Sequence, residues 1–281
     1  MSEIIIFDRK LKRRHRDRAA QHLPGHFLIR EAEERLLGHL EGITREFPLA
    51  LCMGSPLPLW EGGGGGVSLE NNCPPHQPLS LPSPTRGEGS QIPAKKIIRA
   101  DSSLKMHPDI ILDEEFIPFA ENSFDLVLSL LNLHWVNDLP GALIQIRRIL
   151  KKDGLFVASL FAGETLHELR RAGLEAEMAG GVSPRISPFP DIKSAAALLQ
   201  RAGFSMPVVD SEKITVLYPD IFPLIKDLRA MGETNALVKR RKNFTSSREL
   251  AAIGEKYREL FADPEGMIPA TFEIFTLTGS A

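Results

Sequence analysis

Apolar positions along this chain of 281 residues fall into two spacings, and the switch between them predicts the fold. Phe27, Leu28, Ala32, Leu36, Leu37, Leu40 and Ile43 recur at helical intervals with charges between them, which predicts an amphipathic helix over 27–43. LALCM at 49–53 is a short unbroken apolar run, the pattern of a strand buried on both faces. Similar runs follow in KKIIRAD, which ends at Asp101, in IILDEE, in FDLVLSLL at 124–131 and in GLFVASLF. Helical spacing returns from Leu139 to Leu150, and Lys151-Lys152-Asp153-Gly154 is expected to close that helix with cations and a glycine. Helices are predicted next in ETLHELRRAGLEAEM, DIKSAAALLQRAGF, IFPLIKDLRAMG and SSRELAAIGEKYRELFA, with strands in PVVDSEKITVLY and IPATFEIFTLTG. Strands alternating with helices predict an α/β fold, a mostly parallel central sheet with helices on both faces.

The pattern breaks between Gly54 and Ala94, where eight prolines and eight glycines fall in 41 residues. Such a composition buries too little apolar surface to order itself, so 55–94 is expected to be a disordered, low-complexity insertion. Gly62 to Gly66 has neither a preceding strand nor a following Lys-Ser/Thr, so it is not framed as a phosphate loop. The domain then runs over 27–281, interrupted by 55–94. Ahead of it, 1–26 is a basic extension in which Arg9, Lys10, Lys12, Arg13, Arg14, Arg16 and Arg18 crowd together. Asp8 and Asp17 interrupt that run, which favours a solvated, partly helical segment over a nucleic-acid-binding arm.

Bulk charge narrows the partners. Lys and Arg total 34 against 36 Asp and Glu, a net charge of -2, so no global field recruits nucleic acid. Cys52 and Cys73 have no Cys or His ligand spacing, which gives no disulfide framework and no metal site. No apolar run reaches the roughly 18 residues of a membrane span, and a cytoplasmic protein is expected.

A parallel sheet binds ligands beyond the carboxyl ends of its strands, so the residues following each strand are the candidates. Gly54 ends the first strand, where a backbone can approach a ligand closely. Asp101 ends the second and can accept both hydroxyls of a ribose, and Asp113 and Glu114 end the third, placed to accept an amino group. An acid in a turn is more often a cap or a solvated charge, and it is the order of the set relative to the strands that singles it out. Asn132, His134 and Trp135 follow the fourth strand, and His134 is of the type that serves as a base near neutral pH. The bland alternative is that His134 and Trp135 pack under the next helix. Glu164 follows the fifth strand and is equally suited to cap a helix.

The order Gly54, Asp101, Asp113-Glu114, FDLVLS and LKKDG resembles the class I S-adenosylmethionine-dependent methyltransferases. Within that superfamily DEEFIPFAENSFDLVLSLLNLHWVNDLPGALIQIRRILKKDG is similar to the methyltransferase-like assembly factors of respiratory complex I and their bacterial relatives. FDRKLKRRHRDRAA, ISPFPD, RAGF, DLRAMGE and IPATFEIF agree with the same group. The resemblance implies a Rossmann-like domain, bound S-adenosylmethionine at Gly54, Asp101, Asp113 and Glu114, and hydroxylation of an arginine on a complex I subunit. That partner implies a place peripheral to the inner membrane. Two other readings stand beside it. One is an O-methyltransferase of a small or carrier-bound carboxylate, as in biotin synthesis. The other is a non-catalytic binding protein, because Cys52-Met53-Gly54-Ser55-Pro56 replaces the superfamily's acidic residue and Gly-x-Gly-x-Gly loop.

Overall fold

A computed structural model describes residues 5–22, 26–54, 92–177, 186, 189, 192–242 and 245–281. In chain order the elements are α1 (Arg9–Ala19), α2 (Phe27–Gly38), β1 (Phe47–Met53), β2 (Ala94–Asp101), β3 (Ile110–Ile111), β4 (Phe124–Leu130), α3 (Leu139–Ile149), β5 (Leu150–Phe161), α4 (His167–Glu177), α5 (Ile192–Arg201), β6 (Ser205–Tyr218), α6 (Ile221–Ala230), α7 (Ser247–Phe261) and β7 (Ile268–Ser280). These strands form one seven-stranded sheet in the order β3-β2-β1-β4-β5-β7-β6. Pairing is parallel from β3 through β5, and β7 runs antiparallel to both β5 and β6.

Alternation along each strand divides the core. Ala50 and Cys52 of β1 and Leu126 and Leu128 of β4 pack with α2, α4, α6 and α7 on one face. Leu51 and Met53, with Val127 and Phe156, meet Leu143 and Ile146 of α3 and Ala195 and Leu199 of α5 on the other. The sheet is thus covered twice, which explains why its central strands read as continuous apolar runs rather than alternating ones.

Four expectations are corrected. The helix from Phe27 stops at Gly38 instead of running to 43, and a turn follows. Lys151 to Gly154 does not close α3. Leu150 is already extended, and Asp153 and Gly154 exchange backbone hydrogen bonds with Ala281, so this stretch opens β5. Pairing with a strand far along the chain outweighed a local cap signal. The expected insertion 55–94 lies outside the described residues as far as 91, but Ile92 is buried and Ala94 starts β2. The basic extension is not solvated throughout: Asp8 caps α1 by accepting from the Leu11 N–H, and Lys12, His15 and Arg16 are buried against the domain.

One buried acid in α2 leads to a prediction about stability. The Glu33 carboxyl lines a small apolar cavity with Cys52 and Leu128, and its Oε1 has no hydrogen-bond partner among the described residues. Burial raises its pKa from 4.5 to about 8, so the folded state holds the acid protonated where the unfolded chain ionises. Stability attributable to Glu33 should therefore fall as pH rises from about 4.5 to about 8. Glu33→Gln should remove that decline and leave the protein more stable by on the order of 2 kcal/mol at pH 8, with the gap closing toward pH 4.5. Thermal melts of both proteins across that range test it.

Candidate functional site

The carboxyl edges of β1, β2 and β4 converge on one crevice. Gly54 follows β1 in the left-handed region, with φ of +79°, and a Cβ there would lie 2.6 Å from Asn132 Cβ and 2.9 Å from the Leu130 carbonyl oxygen. Its N–H donates to the Ala100 carbonyl, which pins the turn to the end of β2. Asp101, the last residue of β2, is buried. Glu114, just past β3, is buried too and accepts from Asn132 Nδ2 at 2.6 Å. Asp113 lies beside it, half-exposed. Gly54, Asp101, Glu114 and Asn132 are therefore brought together as the strand order expects.

The side of the crevice that sequence reasoning missed is α1. Arg9, Lys12 and Arg16 stand at intervals of three and four, on one helical face, and each meets a carboxylate. Arg16 donates Nε to both oxygens of Asp101, at 3.0 and 2.9 Å, and Nη2 to Asp101 Oδ2 at 2.6 Å and to the Gly54 carbonyl. Arg9 donates to Asp113 Oδ1 at 2.7 Å, to Glu114 and, at 3.1 Å, to the Trp135 carbonyl. Lys12 Nζ donates to Glu233 Oε1 at 2.7 Å and to the Gly232 carbonyl at 3.0 Å, and lies 4.2 Å from the Trp135 ring centroid. The interruption of the basic run by Asp8 and Asp17 drew attention to solvation. The three-residue face was the signal that could have revealed the docking.

Glu233 follows α6 at the end of the DLRAMGE segment. Gly232, with φ of +73°, turns the chain there, and its missing side chain lets α1 approach, since a Cβ would lie 3.2 Å from Ala19 Cβ. Glu233 Oε2 accepts from Trp135 Nε1 at 2.8 Å and faces His134 Nε2 at 3.0 Å. The other His134 nitrogen faces the Phe161 N–H at 3.5 Å, which assigns the proton to Nε2. Burial lowers the His134 pKa, so the ring is neutral, with both nitrogens engaged. Burial works to raise the Glu233 pKa, but the Lys12 and His134 contacts prevail and pull it down to about 2. Lys12, lowered to about 8 chiefly by burial, remains charged at neutral pH, so the pair is ionised. Glu164, after β5, donates its backbone N–H to Glu273 Oε2 at 2.8 Å.

Trp135 and Glu233 also line a cavity of about 710 Å³ between α1, α4, α6 and α7. Its wall is largely apolar, with Phe161, Phe189 and Phe272 among the lining residues, and Glu233 is the single carboxylate among the described residues that line it. This is the size and character of a site for a small molecule or an inserted side chain.

The chemistry of the crevice suits an adenosyl cofactor. Asp101 and Glu114 are buried carboxylates of the kind that could accept ribose hydroxyls and an adenine amino group, and Gly54 lacks the side chain that would strike Asn132 beside them. In this conformation Arg16 and Arg9 take those same acceptor positions. A cofactor at Asp101 and the Arg16 guanidinium would compete for one pair of oxygens.

Comparison with known proteins places this geometry among relatives. Residues 94–158 match the methyltransferase domain family. The mouse arginine-hydroxylase NDUFAF5, mitochondrial, is 40% identical over 98% of this chain and 77% of its own length. The malonyl-[acyl-carrier protein] O-methyltransferase of Gallionella capsiferriformans is 32% identical over 98% of this chain and 91% of its own. A Bacillus halodurans crystal structure assigned to the methyltransferases superimposes with a TM-score of 0.50 at 12% identity, covering 88% of this chain and 97% of that one, which shows a shared fold.

Proposed function

We propose a function from one premise: the chain belongs to the S-adenosylmethionine-dependent methyltransferase family that includes the arginine-hydroxylase NDUFAF5. The reading is an enzyme of that family that modifies a protein arginine by hydroxylation, with a subunit of respiratory complex I as its substrate. S-adenosylmethionine is its cofactor, a group that supplies an electrophilic methyl on a sulfonium when bound and cannot itself add oxygen. Hydroxylation would take one oxygen atom from dioxygen, with two electrons from an external reductant and the second oxygen leaving as water. Gly54, Asp101, Asp113 and Glu114 would hold it. His134 and Trp135 would serve as positioning residues, since both hydrogen-bond Glu233 Oε2.

Glu233 is the observation that supports this acceptor. It is the single carboxylate among the described residues of the cavity wall, it is held ionised, and Lys12 already rests a cationic nitrogen on it at 2.7 Å. Trp135 and His134 already hold Oε2, so a guanidinium entering over the apolar wall would pair with Glu233 by displacing Lys12 from Oε1, where a charge-assisted pair out of water is strong. Location follows the substrate: a cytoplasmic protein at the periphery of the inner membrane. No helix among the described residues is long and apolar enough to cross one.

The test compares complex I subunits from cells with the protein, without it, and with Glu233→Ala. Mass spectrometry should find an arginine that carries one added oxygen only in the first. Unmodified arginines in all three would overturn the reading. The second reading is O-methylation of a carrier-bound carboxylate, favoured by the likeness to the Gallionella enzyme and by five cations on the cavity wall, Arg18, Lys226, Arg229, Arg240 and Arg241. Methyl transfer to malonyl-carrier protein by the purified protein would establish it instead.

A further inference from the structure

The cavity wall has a charge imbalance that the arginine reading leaves unexplained. Arg18 of α1, Lys226 and Arg229 of α6, and Arg240 and Arg241 beyond it line a space with one described carboxylate, Glu233. Arg240 is tied to Asp8 and Arg241 to Glu249. Arg18, Lys226 and Arg229 are exposed, and none of them makes a salt bridge to a described carboxylate. Lys226 and Arg229 are three apart and share a face of α6, on the same side as Arg18. The whole chain carries a net charge of -2, so this cationic mouth runs against the molecule's average.

An arginine side chain cannot account for such a mouth, because its own charge is repelled by every cation it passes. About 710 Å³ also exceeds what one side chain fills, which leaves room for its neighbours in sequence. The cations line a cavity rather than a flat face, and a segment that inserts suits that shape better than a membrane surface does. Acidic residues beside the arginine would reverse the sign of the encounter, pair with Arg18, Lys226 and Arg229, and leave the guanidinium for Glu233.

We propose that the cavity mouth is a docking site for an acidic polypeptide segment, so that the arginine selected is one flanked by Asp or Glu. This rests on the arginine reading above and deepens it by naming the sequence context. Complementary charge of this kind acts on encounter and on selection among partners.

The experiment titrates the full chain with labelled peptides of equal length that differ only around a central arginine: flanked by Glu, by Ser or by Lys. A fourth peptide keeps the Glu flanks and replaces the arginine with Gln. The Glu-flanked peptide should bind at least about tenfold more tightly than the Ser-flanked one, the Lys-flanked one more weakly still, and the preference should shrink as salt is added. Lys226→Glu with Arg229→Glu should abolish or invert the preference without changing the melting temperature. Equal affinities for the three flanks would overturn the proposal, as would a preference that survives the charge reversal or tighter binding to anionic phospholipid vesicles than to any peptide. If the Gln peptide binds as well as its arginine parent, acid docking stands and the arginine reading is what fails. Arginine modification without a flank preference would mean the converse: the arginine reading stands and acid docking fails.

Discussion

Asp101→Ala should destabilise the protein by about 3–5 kcal/mol, because it leaves the Arg16 guanidinium buried beside the sheet without its partner. Arg16 is 3% exposed and Asp101 2%, so water cannot compensate. Asp101 also accepts the Ser103 N–H at 2.8 Å, a further bond that the substitution removes. Adding Arg16→Leu to Asp101→Ala should recover much of the loss, since an apolar side chain in place of an unpaired buried charge is close to neutral or better. Chemical denaturation of the wild type, the two single variants and the double variant gives the coupling directly. Additive losses would mean that Arg16 and Asp101 are not one buried unit. Calorimetric titration with S-adenosylmethionine should find binding in the wild type and none in either protein lacking Asp101. Equal binding by Asp101→Ala would remove that carboxylate from the cofactor site.

Glu233→Gln is expected to cost a similar amount, about 3–5 kcal/mol at neutral pH, for a different reason. One carboxylate receives the Lys12 ammonium, the Trp135 indole N–H and the His134 Nε2–H, and the amide keeps its size while losing the charge that balances Lys12. Its NH₂ would also face a donor wherever it turned. The sign of the pH dependence follows from the depressed acid. With a folded pKa of about 2 against an ordinary 4.5, the unfolded chain binds the proton first as pH falls. The contribution is therefore complete above about 4.5 and lost between 4.5 and 2. Wild-type stability should fall in that acid window with a component that Glu233→Gln lacks. Parallel acid titrations of the two proteins would show it, and superimposable slopes would contradict it.

Much of the scaffold was legible because burial of a strand on both faces writes itself into composition. FDLVLSLL and LALCM are apolar at nearly every position, and both are central strands covered on both faces. Gly54, Asp101 and Glu114 lie at or just past the ends of β1, β2 and β3, where the strand pattern put them. Neighbour relations between distant segments were not legible. Lys151 to Gly154 has the local signature of a helix end, and only its pairing with Ala281 makes it a strand. Lys12 and Arg16 look like solvated charges in isolation, since their burial depends on Glu233 and Asp101, 221 and 85 residues away. Glu233 lies in a segment that the family resemblance covered, but nothing local announces a carboxylate that serves three donors.

The place of β7 in the sheet bears on how the protein is made. Residues 268–280 are inserted between β5 and β6, bonded antiparallel to each along most of their length. Among the described residues β6 has no other strand neighbour. On a ribosome that releases the chain from its amino end, β1 to β5 can assemble while the rest is still being synthesised, but β6 must wait with an open edge until β7 emerges and bridges it. Synthesis therefore passes through a stage in which walls of the cavity are made but not yet fastened, and a chain arrested before β7 is free to pair leaves the edges of β5 and β6 open as an aggregation-prone intermediate.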